Sequence, residues 1–368
     1  VIITKRTDTS GAWWTVYHKN SPNSVGWLNE TNAFDGNNMQ DYYGNGSSAV
    51  TPTSSVFTVS DSANVNGSGA TYVAYLFASD AGGFGEDEDE NIIKCGSYTT
   101  DSSGNATVNL GFEPQWILSK RTNATGAWYI RDVMRGMPVD GDNALLFPNT
   151  SGAEGSSSFA LRPSSTGFTA FNDAAAQTNV YIAIRRPMKT PEAGTEVFAI
   201  DTYDSTPLPS FESPFVTDMA FYKNSTSVQD WKAVTRLLGS TRLVPNATTA
   251  ETAEGDVTWD YMNGWYSNSG TYTNVYSWMF KRATGFMDVV AYTGTGVAGQ
   301  TQAHNLGVVP ELMMVKWRNS GNEPFVAYSA TLGATKFLEV ATDAGENAIL
   351  GMWNNTAPTA SVFTLGDR

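Results

Sequence analysis

The feature that most constrains this chain is a phrase that recurs along it. Residues 110–128 read LGFEPQWILSKRTNATGAW. Shifted by 115, the opening VIITKRTDTSGAW falls on WILSKRTNATGAW, so that Lys5, Arg6, Thr7, Gly11 and Trp13 meet Lys120, Arg121, Thr122, Gly126 and Trp128. Shifted by 196, Leu306, Gly307, Pro310, Lys316 and Arg318 fall on Leu110, Gly111, Pro114, Lys120 and Thr122. A weaker copy, VTDMAFYKNSTSVQDW, brings Lys223 and Trp231 onto Lys120 and Trp128. A second phrase closes three of the copies: Tyr72, Tyr181 and Tyr276 align within TYVAYLFAS, NVYIAIRRP and NVYSWMFKR. Each follows a turn-and-aromatic signal, Val56-Phe57-Thr58, Gly167-Phe168-Thr169 or Gly264-Trp265-Tyr266. Such self-similarity decides the architecture before any local feature is weighed.

The period of about 100 residues suits a small sandwich, and the segments between turn signals alternate or are β-branched, as strands do. The expected fold is all-β: four tandem small antiparallel β-sandwich units, at 1–85, 90–188, 195–283 (divergent) and 284–368. The first is expected to lack its opening strand and the last, which reaches Val362-Phe363-Thr364, its closing strands. Val56 to Ser60 and Tyr72 to Ala78 are predicted strands, and NIIKCGSYTT, EVFAIDTYD and DVVAYTGTG should open the second, third and fourth units. KAVTRLLGSTRL has apolar residues at helical spacing, but its counterpart RDVMRGMPV is broken by Gly and Pro, so only a short turn is expected there.

Composition narrows the function. With 22 basic and 36 acidic side chains the formal charge is −14, which disfavours phosphate-mediated nucleic-acid binding and anionic membrane surfaces. No run of eighteen apolar residues offers a membrane-spanning helix. Cys95 is the only cysteine, so no intrachain disulfide forms and the units must hold by packing; between Lys94 and Gly96 it reads as a small packing residue. The two histidines, His18 and His304, belong to different repeats. Neither is paired with a nucleophile elbow, an H-E-x-x-H or a cysteine pair, so no catalytic residue, metal site or cofactor is expected. The acidic run at 86–90 lacks the alternating spacing and glycine pivot of a calcium loop and is expected to be an exposed connection without an ion.

The aligned rings Trp13, Trp128 and Trp231, with Tyr72, Tyr181 and Tyr276, are predicted core anchors of the repeat. Trp14, Trp27, Tyr42 and Tyr43 have no repeat partners and are predicted contacts for another chain or for a ligand.

The succession carried by Gly111, Phe112, Pro114, Lys120, Arg121, Trp128, Arg135, Gly136, Gly167, Phe168, Tyr72, Ala74 and Tyr75 resembles the tandem β-sandwich repeats of bacteriophage tail fibre and related virion proteins, especially those of marine and cyanobacterial phages. The third repeat departs from it, with Asp218 where the proline belongs and Tyr222-Lys223 for Lys-Arg. The resemblance implies a virion location and a non-enzymatic structural role, with loops adhering to host surface glycan or protein. The implied partners are further copies of the chain, as a homotrimer, and other virion proteins. A tailspike depolymerase and a bacterial surface adhesin are the alternatives.

Overall fold

Short β-branched and aromatic runs separated by Gly, Asn and Pro leave room for little except antiparallel strands. A computed structural model describes all residues but 35–37, 86–87, 89, 207, 268–272, 349–350 and 368. The fold is all-β, and every strand pairing described is antiparallel. KAVTRLLGSTRL forms two strands around the single 3-10 turn Arg236–Leu238. The chain divides into two compact units, Val1–Asp132 with Gly141–Arg186, and Val133–Asp140 with Pro187–Arg368. The first holds the first two sequence repeats save Val133–Asp140, and the second holds that segment with the third and fourth.

In the first unit, β1 (Ile2–Arg6), β2 (Trp14–Tyr17), β3 (Gly26–Trp27) and β4 (Tyr72–Leu76) form a sheet in the order β3-β2-β1-β4. The second repeat supplies β5 (Ile93–Thr99), β6 (Ala106–Asn109), β7 (Pro114–Arg121), β8 (Trp128–Asp132), β9 (Asn143–Leu145), β10 (Gly155–Ser157), β11 (Ala160–Ser164), β12 (Gly167–Phe171) and β13 (Thr178–Arg185). Its main sheet runs β5-β13-β7-β8, faced by β11-β12-β6. Tyr98, Phe168 and Tyr181 meet edge-on or tilted between these two sheets, at centroid distances of 5.5 to 6.3 Å.

The side-chain period of two sorts β1 onto two cores. Ile2 packs with Tyr17, Val25, Met39 and Tyr43. Ile3 points the other way and joins Val16, Leu118, Trp128, Val180 and Ile182. The sheets of the first two repeats therefore share one core, each contributing the face that carries its repeated lysine.

The second unit repeats the plan. Its strands are β14 (Phe198–Thr202), β15 (Phe211–Glu212), β16 (Met219–Asn224), β17 (Lys232–Thr235), β18 (Thr241–Leu243), β19 (Thr252–Ala253), β20 (Val257–Thr258), β21 (Gly264–Ser267), β22 (Val275–Phe280), β23 (Gln300–Ala303), β24 (Leu312–Val315), β25 (Val326–Ser329), β26 (Leu338–Glu339) and β27 (Val362–Leu365). The order β14-β22-β16-β17 matches β5-β13-β7-β8. On one face Phe211, Tyr222 and Trp265 form the core; on the other, Phe221 and Ala233 pack with Phe325 of the fourth repeat.

Two repeated glycines have local causes. Gly111 and Gly307 sit at φ +81° and +71°, in the left-handed region that favours glycine. A Cβ on Gly167 or Gly264 would land on the carbonyl oxygen of Val108 or Phe211.

Two expected strands do not form among the described residues. Residues 56–60 and 288–296 make no ladder, because no counterpart of β6 lies beside the first and none of β13 or β22 beside the second. A strand needs a partner as well as a pattern.

Candidate functional site

The recurring lysine organises each hairpin. Lys5 is cross-strand from Trp14 and Lys120 from Trp128; continuing the β16–β17 and β24–β25 registers sets Lys223 against Trp231 and Lys316 against Phe325. In all four hairpins the ammonium turns back along the loop and donates to a carbonyl oxygen, that of Ala12, Gly126, Gln229 or Glu323. In three the charge lies over the facing ring, at 5.7 Å for Lys5 over Trp14, 5.3 Å for Lys223 over Trp231 and 5.9 Å for Lys316 over Phe325. An asparagine completes three of these clips: Asn29, Asn149 and Asn246 accept the backbone N–H of Trp14, Trp128 and Trp231 at 2.9 to 3.0 Å.

This register corrects the sequence alignment. The ring equivalent to Trp128 and Trp231 is Trp14, because the loop after Lys5 is one residue longer, and a one-residue slip turns a strand side chain to the other face. Trp13 precedes β2, is 36% exposed and lies 4.3 Å from Trp27. Of the three predicted tryptophan anchors only Trp128 is buried, at 3% exposure; Trp231 is 36% exposed. The tyrosines also occupy three registers. Tyr72 faces Arg6, Tyr181 faces Ser119 and Tyr276 faces Lys223. Tyr181 is buried, Tyr72 is half-buried and Tyr276 is exposed.

The predicted contact rings change role as well. Trp27 and Tyr43 are buried: Trp27 lies against Trp13 and Tyr42, and the Tyr43 hydroxyl bonds to Thr4 Oγ1 at 2.8 Å and to the Thr15 carbonyl at 3.1 Å. Tyr42 is half-buried beside the same core. Trp14 is half-buried, packed against the core that the first two repeats share, and it stands 6.0 Å from the exposed ring of Tyr75 with planes 24° apart.

The clips fall into two kinds. The second and fourth are closed: Lys120 also donates to the Thr31 carbonyl at 2.9 Å, and Lys316 to that of Thr248 at 3.0 Å. Each thereby bonds to the repeat before it. Burial, with a smaller push from Arg121, lowers Lys120 to about 8. The first and third are open, and a second ring from the neighbouring strand stands beside the first. Trp231 and Trp278 have centroids 5.2 Å apart, and Tyr276 lies 6.4 Å from Trp278. Tyr75 and Trp278 hold the same register, each opposite the residue two before the repeated lysine.

Several polar constellations are internal. Glu254 is fully enclosed and accepts from Tyr222, from Lys232 at 2.7 Å and from Arg242. Burial raises its pKa, but those three donors outweigh it and hold the carboxyl below its usual range. Asp218 accepts the Arg282 backbone N–H at 2.7 Å, and Arg282 pairs with Asp288 at 2.6 Å. His18 is buried; its Nε2 lies 3.1 Å from the Tyr181 carbonyl, and burial lowers its pKa to about 4. Cys95 is buried. In the acidic run, residues 86, 87 and 89 lie outside the described residues, while Glu90 pairs with Arg185 at 2.5 Å within the first unit. Among the described residues no group of three or more His, Cys, Asp or Glu is placed to hold a metal.

No curated protein and no solved structure matches the chain. A family model described as a domain of unknown function, DUF7483, matches residues 1–184 and 220–368. With most of its length so matched, the chain belongs to the DUF7483 family.

Proposed function

We propose that this chain is a structural and adhesive component of a phage virion, a tail fibre or tail-associated fibre, built of four small β-sandwich units that pack two by two. One observation carries the reading: what recurs is scaffold, a lysine, a facing ring and an asparagine. A repeat that preserves its clip and varies its loops suits a spacer that presents surfaces, and the resemblance of the repeat to fibre proteins supplies the location.

The assembled form is proposed to be a homotrimer, without enzymatic activity of its own. Leu312, Met314 and Trp317 stand 62%, 43% and 60% exposed in and just after β24, an apolar edge suited to a neighbouring chain. Strings of small sandwiches in one chain bend easily, and parallel chains stiffen them while multiplying weak binding sites.

Antibodies raised against the purified chain test the location. Immunogold labelling along fibres of intact particles is expected; antigen confined to host cell surfaces overturns the virion reading in favour of a cellular adhesin. Light scattering that returns a monomer, in solution and when released from particles, overturns the trimer. Polysaccharide cleavage abolished by one carboxylate substitution overturns the non-enzymatic assignment.

A further inference from the structure

The two open clips share a composition that the closed ones lack. Lys5, Trp14 and Tyr75 in the first unit correspond position for position to Lys223, Trp231 and Trp278 in the second. Each also carries an asparagine and an acid at its rim: Asn29 reaches Glu30 at 3.5 Å, and Asn246 reaches Asp230 at 2.9 Å. In each, a second large ring stands beside the first and leaves part of the pair open to solvent. Tyr75 is 47% exposed, and Tyr276, which extends the second site, is 39% exposed.

We infer that these two open clips are stacking sites for the pyranose rings of neutral glycans. The inference deepens the adhesive reading above and names its ligand class. The C–H face of a pyranose is apolar while its edge is hydroxylated, and rigid amphipathic Trp and Tyr rings meet such a surface at small entropic expense. The rim amides, carboxylates and ammonium then meet the hydroxyl edge as donors and acceptors.

Area and charge decide between occupants. A stable protein interface needs about 800 Å² from each partner, whereas two or three partly exposed rings, each of roughly 150 to 250 Å² when whole, offer far less. That footprint suits one or two sugar rings. A carboxylate at each rim and a chain charge of −14 repel anionic polysaccharide, which leaves neutral glycans. Two such sites on one chain raise weak individual affinities by avidity.

The test uses the whole chain with cellohexaose and maltoheptaose as neutral probes and polygalacturonate as the charged control, read by intrinsic tryptophan fluorescence and affinity electrophoresis. A saturable response to a neutral probe is expected, weakened at least about tenfold in the Trp14→Ala/Trp231→Ala double variant. Tyr75→Ala and Tyr276→Ala, at exposed rings, serve the same purpose if the tryptophan variants lose native circular dichroism. No saturable response to either neutral probe up to its solubility limit overturns the inference. So does binding that survives every folded variant, or tighter binding of polygalacturonate. Sugar binding by a chain that labels no virion would leave this inference standing and remove only the virion reading.

Discussion

Trp128 donates its indole N–H to the backbone carbonyl of Trp27, 2.8 Å away, across 101 residues of sequence. The bond is buried, and it ties a ring of the second repeat to the backbone of the first. Trp128→Ala is expected to destabilise the first unit by about 3–5 kcal/mol through the cavity it leaves. Trp128→Phe should cost about 1–3 kcal/mol, because the Trp27 carbonyl loses its donor. Urea unfolding measures both, and a loss under about 1 kcal/mol for the alanine variant would show that the two repeats do not depend on this ring.

Lys120 gives an alkaline signature. Its pKa lies below the ordinary 10.5, at about 8, so between those values the unfolded chain binds more protons than the folded one. Stability from this group therefore rises as pH climbs from 8 toward 10.5, and the penalty is fully present below 8. In Lys120→Met this rise should vanish. The variant should also be less stable overall, because the carbonyls of Thr31 and Gly126 lose their shared donor. Denaturation midpoints at pH 8 and pH 10, for wild type and variant, decide it.

His18 does the same at acid pH. Its folded pKa is about 4 against 6.5 unfolded, so the unfolded chain takes up the proton first and stability falls as pH drops from 6.5 to 4. At this burial the full effect is about 3 kcal/mol. His18→Gln should flatten that part of the stability profile. An unchanged slope in the variant would assign the acid sensitivity to other groups.

Glu254 tests whether the enclosed ionic cluster is structural. Glu254→Gln leaves Lys232 and Arg242 without the charge they now face, and breaking a buried pair costs about 3–5 kcal/mol. The expected result is a matching loss in the second unit while the first unfolds as before. A variant of undiminished stability would mean that the cluster's charge contributes nothing to the fold.

The sequence made much of this legible, for identifiable reasons. Lys5, Lys120, Lys223 and Lys316 recur because one carbonyl must be met in every hairpin, and Gly111 and Gly167 recur because backbone conformation or close approach excludes a side chain. The register of the rings was harder to read. A loop one residue longer after Lys5 makes Trp13 look like the partner of Trp128, and only the pairing of Lys5 with Trp14 resolves it. Tyr72, Tyr181 and Tyr276 mislead in the same way, since a match of letters carries no information about which way a strand is turned. Asn29, Asn149 and Asn246 left a faint signal, a Pro-Asn pair in two of three cases, lost in a chain rich in asparagine. Burial of Trp27 and Tyr43 depends on loops that have no counterpart elsewhere in the chain, so no internal comparison exposes it.

The closed clips make repeat number a matter of parity. Lys120 and Lys316 each bond to a carbonyl of the repeat before them, Thr31 and Thr248, so an even repeat is anchored only where an odd one precedes it. Recombination that removed an odd repeat or duplicated an even one would strand one lysine without its second acceptor, and removal or duplication of any single repeat would bare one shared apolar face. Removal or duplication of two adjacent repeats would leave every such contact intact. Lineages that lengthen or shorten a chain of this kind should therefore do so in steps of about 200 residues, twice the period that the repeated phrases display.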